Sequence, residues 1–308
     1  MKKSVFLSPY FLLLIGVLSV SFSAIFVKWS AAPASVIAMY RMLLTVLLLL
    51  PIELIYFFKH TSLNVSEWIR LLLSGLFLAL HFLLWMESLK LTSVASSTVI
   101  LTLQPAFTMA GMLLFYHSRT NLGQMISLLI AVIGSLIIAW GDIGISGSAL
   151  LGDSFSLLGA AAYATHLLLG QALVKKIPGE FYSFLVFLIA GLVLMGYNSA
   201  AGTDMSHYSL KEWGIFLLLA LVSTVFGHTM LNICLKYIDA TRITMSVVAE
   251  PVIASLLAIL LLGEGVSLWQ VIGGVVTLAG IALYFINPRK RSDMIRRNPS
   301  FNIKNLVK

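Results

Sequence analysis

Two dipeptides place a polar side chain and a proline in the middle of long apolar segments. They are Gln104-Pro105 and Glu250-Pro251, 146 residues apart. Proline interrupts the hydrogen-bond ladder of a helix, and the hydrocarbon core of a bilayer offers no water to replace the lost partner. A carboxylate at that depth is costly unless it faces a cavity, a partner or a proton. The pairs therefore indicate a polar centre in a membrane protein, with Pro105 and Pro251 as kinks.

Glu250 is the strongest candidate for chemistry. The sequence around it is compatible with either a functional or a structural role. It could recognise an ammonium group of a substrate or carry a coupled proton. It could instead be structural and bond backbone groups exposed at the Pro251 kink. Gln104 is its counterpart and belongs to a stripe of small and polar residues at helical spacing, which could line a cavity or form a helix–helix seam. The stripe consists of Ser97, Gln104, Thr108 and Gly111.

Three histidines inside apolar segments could also carry protons, because imidazole titrates near neutral pH. Each shares a helical face with another polar or aromatic side chain. The pairs are His228 with Asn232, His166 with Tyr163, and His81 with Trp85. The alternative for each histidine is a neutral ring bonded to a carbonyl or hydroxyl group. No short segment carries a clear set of metal ligands, so we expect neither a metal site nor a cofactor.

Three charged residues near segment ends are expected to have structural roles. Arg41 lies a few residues inside the second apolar segment, where it could extend to the interface or pair with a carboxylate. Lys28 ends the first segment, and Glu264 lies in a short turn between the last two.

Composition places the chain in a bilayer. Of its 308 residues, 59% are hydrophobic and 10% are charged, with a mean hydropathy of +0.99. A soluble protein could not bury that much apolar surface. The net charge of +8 does not indicate a nucleic-acid partner, because the basic residues lie between apolar segments and in the last twenty residues. The single cysteine excludes an intramolecular disulfide framework.

The apolar segments predict an all-α integral membrane protein with ten transmembrane helices. Each segment has roughly the 20 residues that a helix needs to cross the hydrocarbon core. Their approximate limits are 8–28, 35–58, 67–89, 93–116, 121–141, 151–174, 181–200, 212–236, 241–262 and 267–286. With both termini on the cytosolic side, 16 Lys and Arg residues lie inside and 3 outside. This asymmetry predicts cytosolic termini.

The chain is predicted to contain two five-helix repeats, residues 1–145 and 146–287, followed by a basic cytoplasmic tail, 288–308. A gapless offset of 146 residues aligns identical residues in the two halves, including the pairs Lys90/Lys236, Pro105/Pro251, Gln124/Gln270 and Gly134/Gly280. Five spans per repeat is an odd number, so the second repeat must enter the membrane from the opposite side.

The second half also carries a family resemblance. Its run of Ala249-Glu250-Pro251, Leu262-Gly263-Glu264, Trp269-Gln270, Gly273-Gly274 and Gly280-Ile281 resembles the signature of EamA-type transporters, in the drug/metabolite transporter superfamily. The positions of Lys28 and Arg41 are also similar to that family. The resemblance implies a ten-helix bundle that exports small metabolites across the bacterial cytoplasmic (inner) membrane. One departure is that the first half has His117-Ser118-Arg119 where the second has Gly263-Glu264-Gly265.

The preferred hypothesis is a secondary transporter, an exporter of a small metabolite or amino-acid-like compound by alternating access. Substrate would bind near the midplane between spans 1, 3, 4, 6, 8 and 9. Proton coupling and plain facilitation both stay open.

The chain has no nucleotide-binding loop and no catalytic serine or zinc motif, so we expect no enzymatic activity. The alternatives are an integral-membrane enzyme acting on a lipid or isoprenoid substrate, and a membrane-embedded partner protein. Glycines in spans 5 and 10 could pack within the chain or form a homodimer.

Overall fold

The computed structural model describes residues 8–60, 63–92, 94–118, 120–139, 147–262 and 268–286. All regular secondary structure within these ranges is helical. Glu264 and the tail 288–308 lie outside the described residues, so the expectations for them stay predictions.

In the first half, two of the predicted spans are each divided into two helices. The interruptions fall at residues 21–22 and 102–103. The helices are α1 (Pro9–Val20), α2 (Ser23–Trp29), α3 (Ala34–His60), α4 (Val65–Leu91), α5 (Val94–Leu101), α6 (Gln104–Tyr116) and α7 (Leu122–Ala139).

In the second half, one span is interrupted at residues 248–249 and another contains a π-helix. The helices are α8 (Gly147–Leu173), α9 (Gly179–Ala200), α10 (Leu210–Leu218), the π-helix (Leu219–Thr229), α11 (Met230–Cys234), α12 (Ala240–Val247), α13 (Glu250–Leu262) and α14 (Leu268–Ile286).

Seven stretches of the described residues are long and apolar enough to cross a membrane. They are Pro9–Trp29, Ala34–Glu53, Val65–Leu91, Ser96–Tyr116, Gly179–Ala200, Leu210–Cys234 and Ala240–Leu257. Two shorter apolar helices cover Leu122–Ile138 and Val271–Ile286. Helix α8 is 27 residues long but rich in Gly, Ala and Ser, and it packs closely on α4. The fold is therefore a multi-pass helical membrane protein, and the count of ten spans stays a prediction.

The outer surface of the bundle is apolar, and the polar side chains that lie within the spans face its interior. Large aliphatic side chains such as Leu47, Leu76 and Leu192 are exposed on its surface, where hydrocarbon surrounds them. Arg41 and Ser74 are fully buried. This arrangement suits a bilayer, in which a polar side chain on the lipid face would lack a partner.

Helix α4 joins the two halves of the chain. It packs extensively on α8 and also on α9, while α9 packs on α3. Helix α1 packs against the π-helix of the other half. The two halves are therefore interleaved and share one core, which contains residues such as Phe82 and Phe187.

Helices α7 and α14 form a close seam with each other at glycines. A β-carbon added to Gly134 would lie 2.4 Å from the backbone nitrogen of Thr277, and one added to Gly280 would lie 2.5 Å from that of Ala131. The 146-residue offset exchanges these two contacts, since it relates Gly134 to Gly280 and Ala131 to Thr277. These glycines therefore pack within the chain.

We predict that Gly280→Ala lowers thermal stability, because the new methyl group must push backbone apart. Overpacking of this kind costs roughly 1–3 kcal/mol. Gly214→Ala is the matched control. It lies in α10 with no atom within 4 Å of an added β-carbon, and alanine favours a helix by about 1 kcal/mol. Thermal unfolding of the two purified variants in detergent checks this. A Gly280→Ala melting temperature equal to or above that of Gly214→Ala would contradict it.

Candidate functional site

A small, buried cavity lies between the two halves. Its volume is about 20 Å³, slightly more than one water molecule needs. Every residue that lines it is buried. These residues are Val20, Ser23, His81, Trp85, Leu101, Gln104, Tyr163, His228, Leu231, Val247 and Glu250. In this conformation the cavity has room for water or a small chemical group, but not for a whole metabolite.

The cavity is built where helices are interrupted. Each interrupted span contributes the last residue before its break and the first residue after it. The pairs are Val20 with Ser23, Leu101 with Gln104, and Val247 with Glu250. Helices α4 and α8, the π-helix and α11 supply the remaining lining. The lining thus comes from the six spans named from the sequence, whereas the binding of substrate there stays a prediction.

Proline causes two of the three interruptions. Pro105 and Pro251 have no backbone N–H, so the carbonyls of Leu101 and Val247, four residues earlier, lose their helical partners. The chain then passes through a tighter turn at each site, as shown by the bonds of 3.1 Å from the Leu103 nitrogen to the Ile100 oxygen and of 3.2 Å from the Ala249 nitrogen to the Ser246 oxygen. In each half the interruption therefore removes one helical backbone bond at a residue that lines the cavity.

The first interruption has no proline. Instead, the Ser21 hydroxyl donates to the Val17 carbonyl over 2.8 Å, a bond that competes with the backbone ladder and bends helices. Sequence reasoning missed this break and the cavity residues beside it, Val20 and Ser23. The available signal was the alternation of serines at 19, 21 and 23 within an apolar segment.

Three pairs of lining residues are related by the offset between the repeats. Trp85 and Leu231, Leu101 and Val247, and Gln104 and Glu250 are each 146 residues apart. Equivalent positions of both halves therefore meet at one site, although only one half contributes a carboxylate.

Several buried polar atoms at the cavity lack a hydrogen-bond partner among the described residues. They are the Ser23 hydroxyl, the Trp85 indole nitrogen and the Gln104 side-chain oxygen. Glu250 is 7% exposed, and none of the hydrogen bonds or ion pairs of the described residues involves its carboxylate. Such atoms are costly in a dry interior. The cavity is therefore a polar site whose groups are available to a ligand or to water.

Aromatic rings form one wall of the cavity. The rings of His81 and Trp85 are stacked, with centroids 6.2 Å apart and 3° between their planes. Tyr163 lies 4.8 Å from His81 and 5.5 Å from His228, measured between ring centroids. The Nδ1 atom of His81 lies 2.9 Å from the Gly159 carbonyl, to which it donates. This bond leaves Nε2 as an acceptor when the ring is neutral.

His166 and Asn232 do not line the cavity. The Nδ1 atom of His166 lies 2.9 Å from the Ser74 hydroxyl, which lies 2.6 Å from that of Tyr182. Asn232 is buried one helical turn beyond His228 and has an unpartnered side-chain nitrogen. The contacts of His166 fit the structural alternative, in which imidazole binds hydroxyl and carbonyl groups.

The polar stripe on the fourth span divides between cavity and seam. Gln104 lines the cavity, whereas the Thr108 hydroxyl lies 2.9 Å from that of Thr244 on α12. Gly111 packs tightly on Leu168 of α8. Gln104 therefore fits the cavity alternative, whereas Thr108 and Gly111 fit the helix–helix seam.

Arg41 is fully buried beside the cavity and does not extend to the interface. Its Nε donates to the Thr224 hydroxyl over 2.7 Å and its Nη2 to the Ser223 carbonyl over 3.2 Å. The guanidinium carbon lies 4.3 Å from the centre of the Phe82 ring, at a distance typical of cation–π contact. Arg41 and Glu250 attract each other electrostatically without a direct ion pair.

The π-helix supplies these partners for Arg41. The Thr224 hydroxyl also donates to the Leu219 carbonyl, five residues earlier, over 2.9 Å. π-Helical turns are rare and frequently occur at functional sites. No residue pattern in this span marks the π-helix, so sequence reasoning missed the pairing.

Polar contacts join the helices at both ends of the bundle. At the Lys28 end, the Lys28 ammonium donates to the Leu89 carbonyl over 2.9 Å, and Glu212 accepts from the Ala31 nitrogen over 2.9 Å. At the Lys176 end, Lys176 pairs with Glu67. The Lys28 contact joins two spans, so this residue does more than anchor a helix at the interface.

The fold and its buried polar cavity define a class, namely multi-pass helical membrane proteins with a central site. A family model, the EamA-like transporter family, matches residues 7–140 and 150–286. The chain belongs to the EamA-like transporter family, and each half matches the family separately.

Relatives and a solved structure support the same class. The uncharacterized transporter YcbK of Bacillus subtilis is 29% identical over 273 residues, covering 85% of this chain and 87% of YcbK. The uncharacterized inner membrane transporter YicL of Salmonella typhimurium is 26% identical over 221 residues, covering 69% of this chain and 70% of YicL. A protein of known crystal structure is 16% identical with a TM-score of 0.74, covering 91% of this chain and 96% of its own. That last likeness shows the fold alone.

We predict that Thr224→Val destabilises the protein by about 1.5–3 kcal/mol, because it leaves a buried guanidinium N–H without an acceptor. In an Arg41→Met background the same change should cost less, since the charge is gone. Thr165→Val is the control, because the Thr165 hydroxyl donates only to the Ala161 carbonyl of its own helix. Thermal unfolding of the four variants in detergent measures the coupling. Equal costs in both backgrounds would contradict a role for this bond.

Proposed function

We propose that the chain is a secondary transporter that exports a small metabolite or amino-acid-like compound by alternating access. It would lie in the bacterial cytoplasmic membrane as ten spans in two inverted five-helix repeats, residues 1–145 and 146–287. The tail 288–308 and both termini would be cytosolic, in keeping with the distribution of 16 Lys and Arg residues against 3.

The buried cavity between the halves carries this proposal. It contains unpartnered polar groups at a buried position between the two sides of the membrane. Transporters with repeated halves bind substrate at such a place, at discontinuous helices near the midplane. A lipid-modifying enzyme would need its polar groups open to the membrane interface, whereas the lining residues of this cavity are all buried. The position of the site therefore favours transport.

The contacts at the two ends of the bundle supply candidate gates. Opening toward one side would break the Lys28 and Glu212 contacts, and opening toward the other would break the Lys176–Glu67 pair. Pro105 and Pro251 would provide the kinks at which the spans bend. Because these gates close separate ends, one can open while the other stays shut.

The aromatic wall and Glu250 would recognise the substrate, and Glu250 would exchange a proton for it. Tyr163, Trp85, His81 and His228 offer ring faces for an apolar or aromatic part of the compound. Glu250 would accept its ammonium group. When Glu250 is protonated, that ammonium group loses its counter-charge, and this competition is the basis of proton-for-substrate exchange.

A homodimer is also compatible with the fold, through a surface other than the α7–α14 seam. The glycines of that seam already pack against the facing helix of the same chain.

We predict that Glu250→Gln abolishes pH-driven flux while the protein still folds. Purified protein in liposomes would be tested against a panel of amines, amino acids and sugars, with a pH gradient imposed. Glu180→Gln is the control, because Glu180 is an exposed carboxylate in the first turn of α9. We expect at least a tenfold loss of flux for Glu250→Gln, since a lost charge-assisted contact is worth about 1.5–3 kcal/mol.

Two outcomes would count against different parts of the proposal. If wild type carries no compound in the panel above the rate of empty liposomes, transport of these classes is wrong. If Glu250→Gln retains both flux and its pH dependence, transport stands and the coupling role of Glu250 is wrong.

A further inference from the structure

A wide apolar groove lies between α6 and α7, on the outer surface of the first half. Its volume is about 900 Å³, and of the twelve described residues that line it Thr120 alone has a polar side chain. Leu113, Met125 and Leu129 belong to the lining and are exposed. The groove is therefore continuous with the apolar surface that faces hydrocarbon, and it shares no lining residue with the central cavity.

The length of the groove matches one leaflet of a bilayer. It extends along α6 from Leu103 to Leu113, about 15 Å at the rise of a helix. The hydrocarbon core is about 30 Å thick, so one leaflet has about this depth. At one end of the groove, Leu103 lies in the break between α5 and α6, next to Gln104 of the cavity. At the other end, Thr120 lies in the connection to α7.

In the second half, larger side chains occupy the equivalent positions of α13. At the offset of 146 residues, Ala106 of the groove corresponds to Val252. Ala110 of the groove corresponds to Leu256. A β-carbon added to Gly274 of α14 would lie 3.5 Å from a methyl carbon of Val252, so these two helices are close to contact there. The first half therefore has small side chains on α6 where the second half has side chains that fill the space.

The connection between α6 and α7 is basic in sequence. Residues 117–121 contain one arginine, Arg119, and no acidic residue. Arg119 lies outside the described residues, so only the charge of its segment is used here. The equivalent segment of the second half, residues 263–267, contains Glu264 and no Lys or Arg. The predicted topology places residues 117–121 on the cytosolic side, where the leaflet carries anionic phospholipids.

We propose that the groove between α6 and α7 binds an acyl chain of an anionic phospholipid, whose headgroup lies at the connection between these helices. An unfilled groove would lose the van der Waals contacts of its lining. A lipid chain has the required apolar character and the length of one leaflet, and its phosphate complements the basic connection.

A bound chain would end at the break between α5 and α6. Leu103 of that break lines the groove, and its neighbour Gln104 lines the cavity. The lipid would therefore support the bent form of the fourth span. This site goes beyond the proposed function, and its binding can be measured without a transported compound.

The experiment exchanges residues of the first half for those of the second. Ala106→Val combined with Ala110→Leu fills the groove. Ala282→Leu is the matched control, because Ala282 is an exposed alanine of α14 outside the groove and its equivalent in the first half is Leu136. Arg119→Gln removes the charge of the connection and leaves the lining unchanged. Circular dichroism and gel filtration verify that each variant is folded.

Native mass spectrometry of the purified full-length protein in detergent counts the bound lipids. The protein is titrated with phosphatidylglycerol and with phosphatidylcholine of identical chains. We expect wild type and Ala282→Leu to bind one phosphatidylglycerol equally, and more tightly than phosphatidylcholine. The groove-filling variant should bind it about fivefold more weakly, because the chain loses its packing contacts. Arg119→Gln should weaken phosphatidylglycerol alone by about fivefold, the effect of one basic residue near an anionic surface.

A photolabile lipid tests the site in wild type without any substitution. The protein is reconstituted in liposomes that contain phosphatidylglycerol with a diazirine in its acyl chain, and cross-linked peptides are identified by mass spectrometry. Label should concentrate on Ala110 and Leu129 of the groove. It should be lower on Leu256 and Val275, which are exposed at the equivalent positions of the second half. Equal labelling of the two sets would contradict a site in the first half.

Three further results would overturn the proposal. One is that wild type retains neither lipid or binds both equally. Another is that the folded groove-filling variant binds phosphatidylglycerol as tightly as wild type. The third is a wild-type dimer that the groove-filling variant dissociates, since this would assign the groove to a second copy of the chain. None of these results bears on whether the protein transports.

Discussion

Backbone hydrogen bonding in a medium without water is the constraint on which this structure depends. A helix that crosses hydrocarbon must satisfy its own carbonyls, and each interruption is tolerated only where protein surrounds it. The breaks before Ser23, Gln104 and Glu250 therefore cannot face lipid, and they meet in the interior. Their meeting place becomes the cavity, so the same rule that hides the broken backbone also concentrates polar groups at the centre of the bundle.

Much of this centre could be predicted because proline and carboxylates are unambiguous in an apolar segment. Pro105 and Pro251 locate two breaks, and Gln104 and Glu250 line the resulting cavity. The partners of Arg41 could not be predicted, because Thr224 is 183 residues away and lies on a π-helix that no local pattern marks. His166 was equally ambiguous, since a buried histidine looks the same in sequence whether it faces a cavity or a serine. Helical periodicity assigns a residue to a face, whereas tertiary packing decides what that face meets.

The two halves share a scaffold but differ in chemistry. Proline occupies the equivalent position in each half. In contrast, Gln104 corresponds to Glu250, and Trp85 corresponds to Leu231. Arg41 has the buried, apolar Phe187 at its equivalent position. The carboxylate and the guanidinium therefore belong to a single arrangement rather than to two symmetric ones. A duplicated fold can therefore keep equivalent helix breaks in both halves while the two charged groups occur in one arrangement only.

The small volume of the cavity has a consequence for the membrane itself. A cell that stores energy as an ion gradient loses it through any continuous file of water across the bilayer. Here the cavity between the halves has a volume of about 20 Å³, and every residue that lines it is buried. A space that holds about one water molecule cannot contain a continuous file of water, so in this conformation the cavity itself offers ions no path across the membrane.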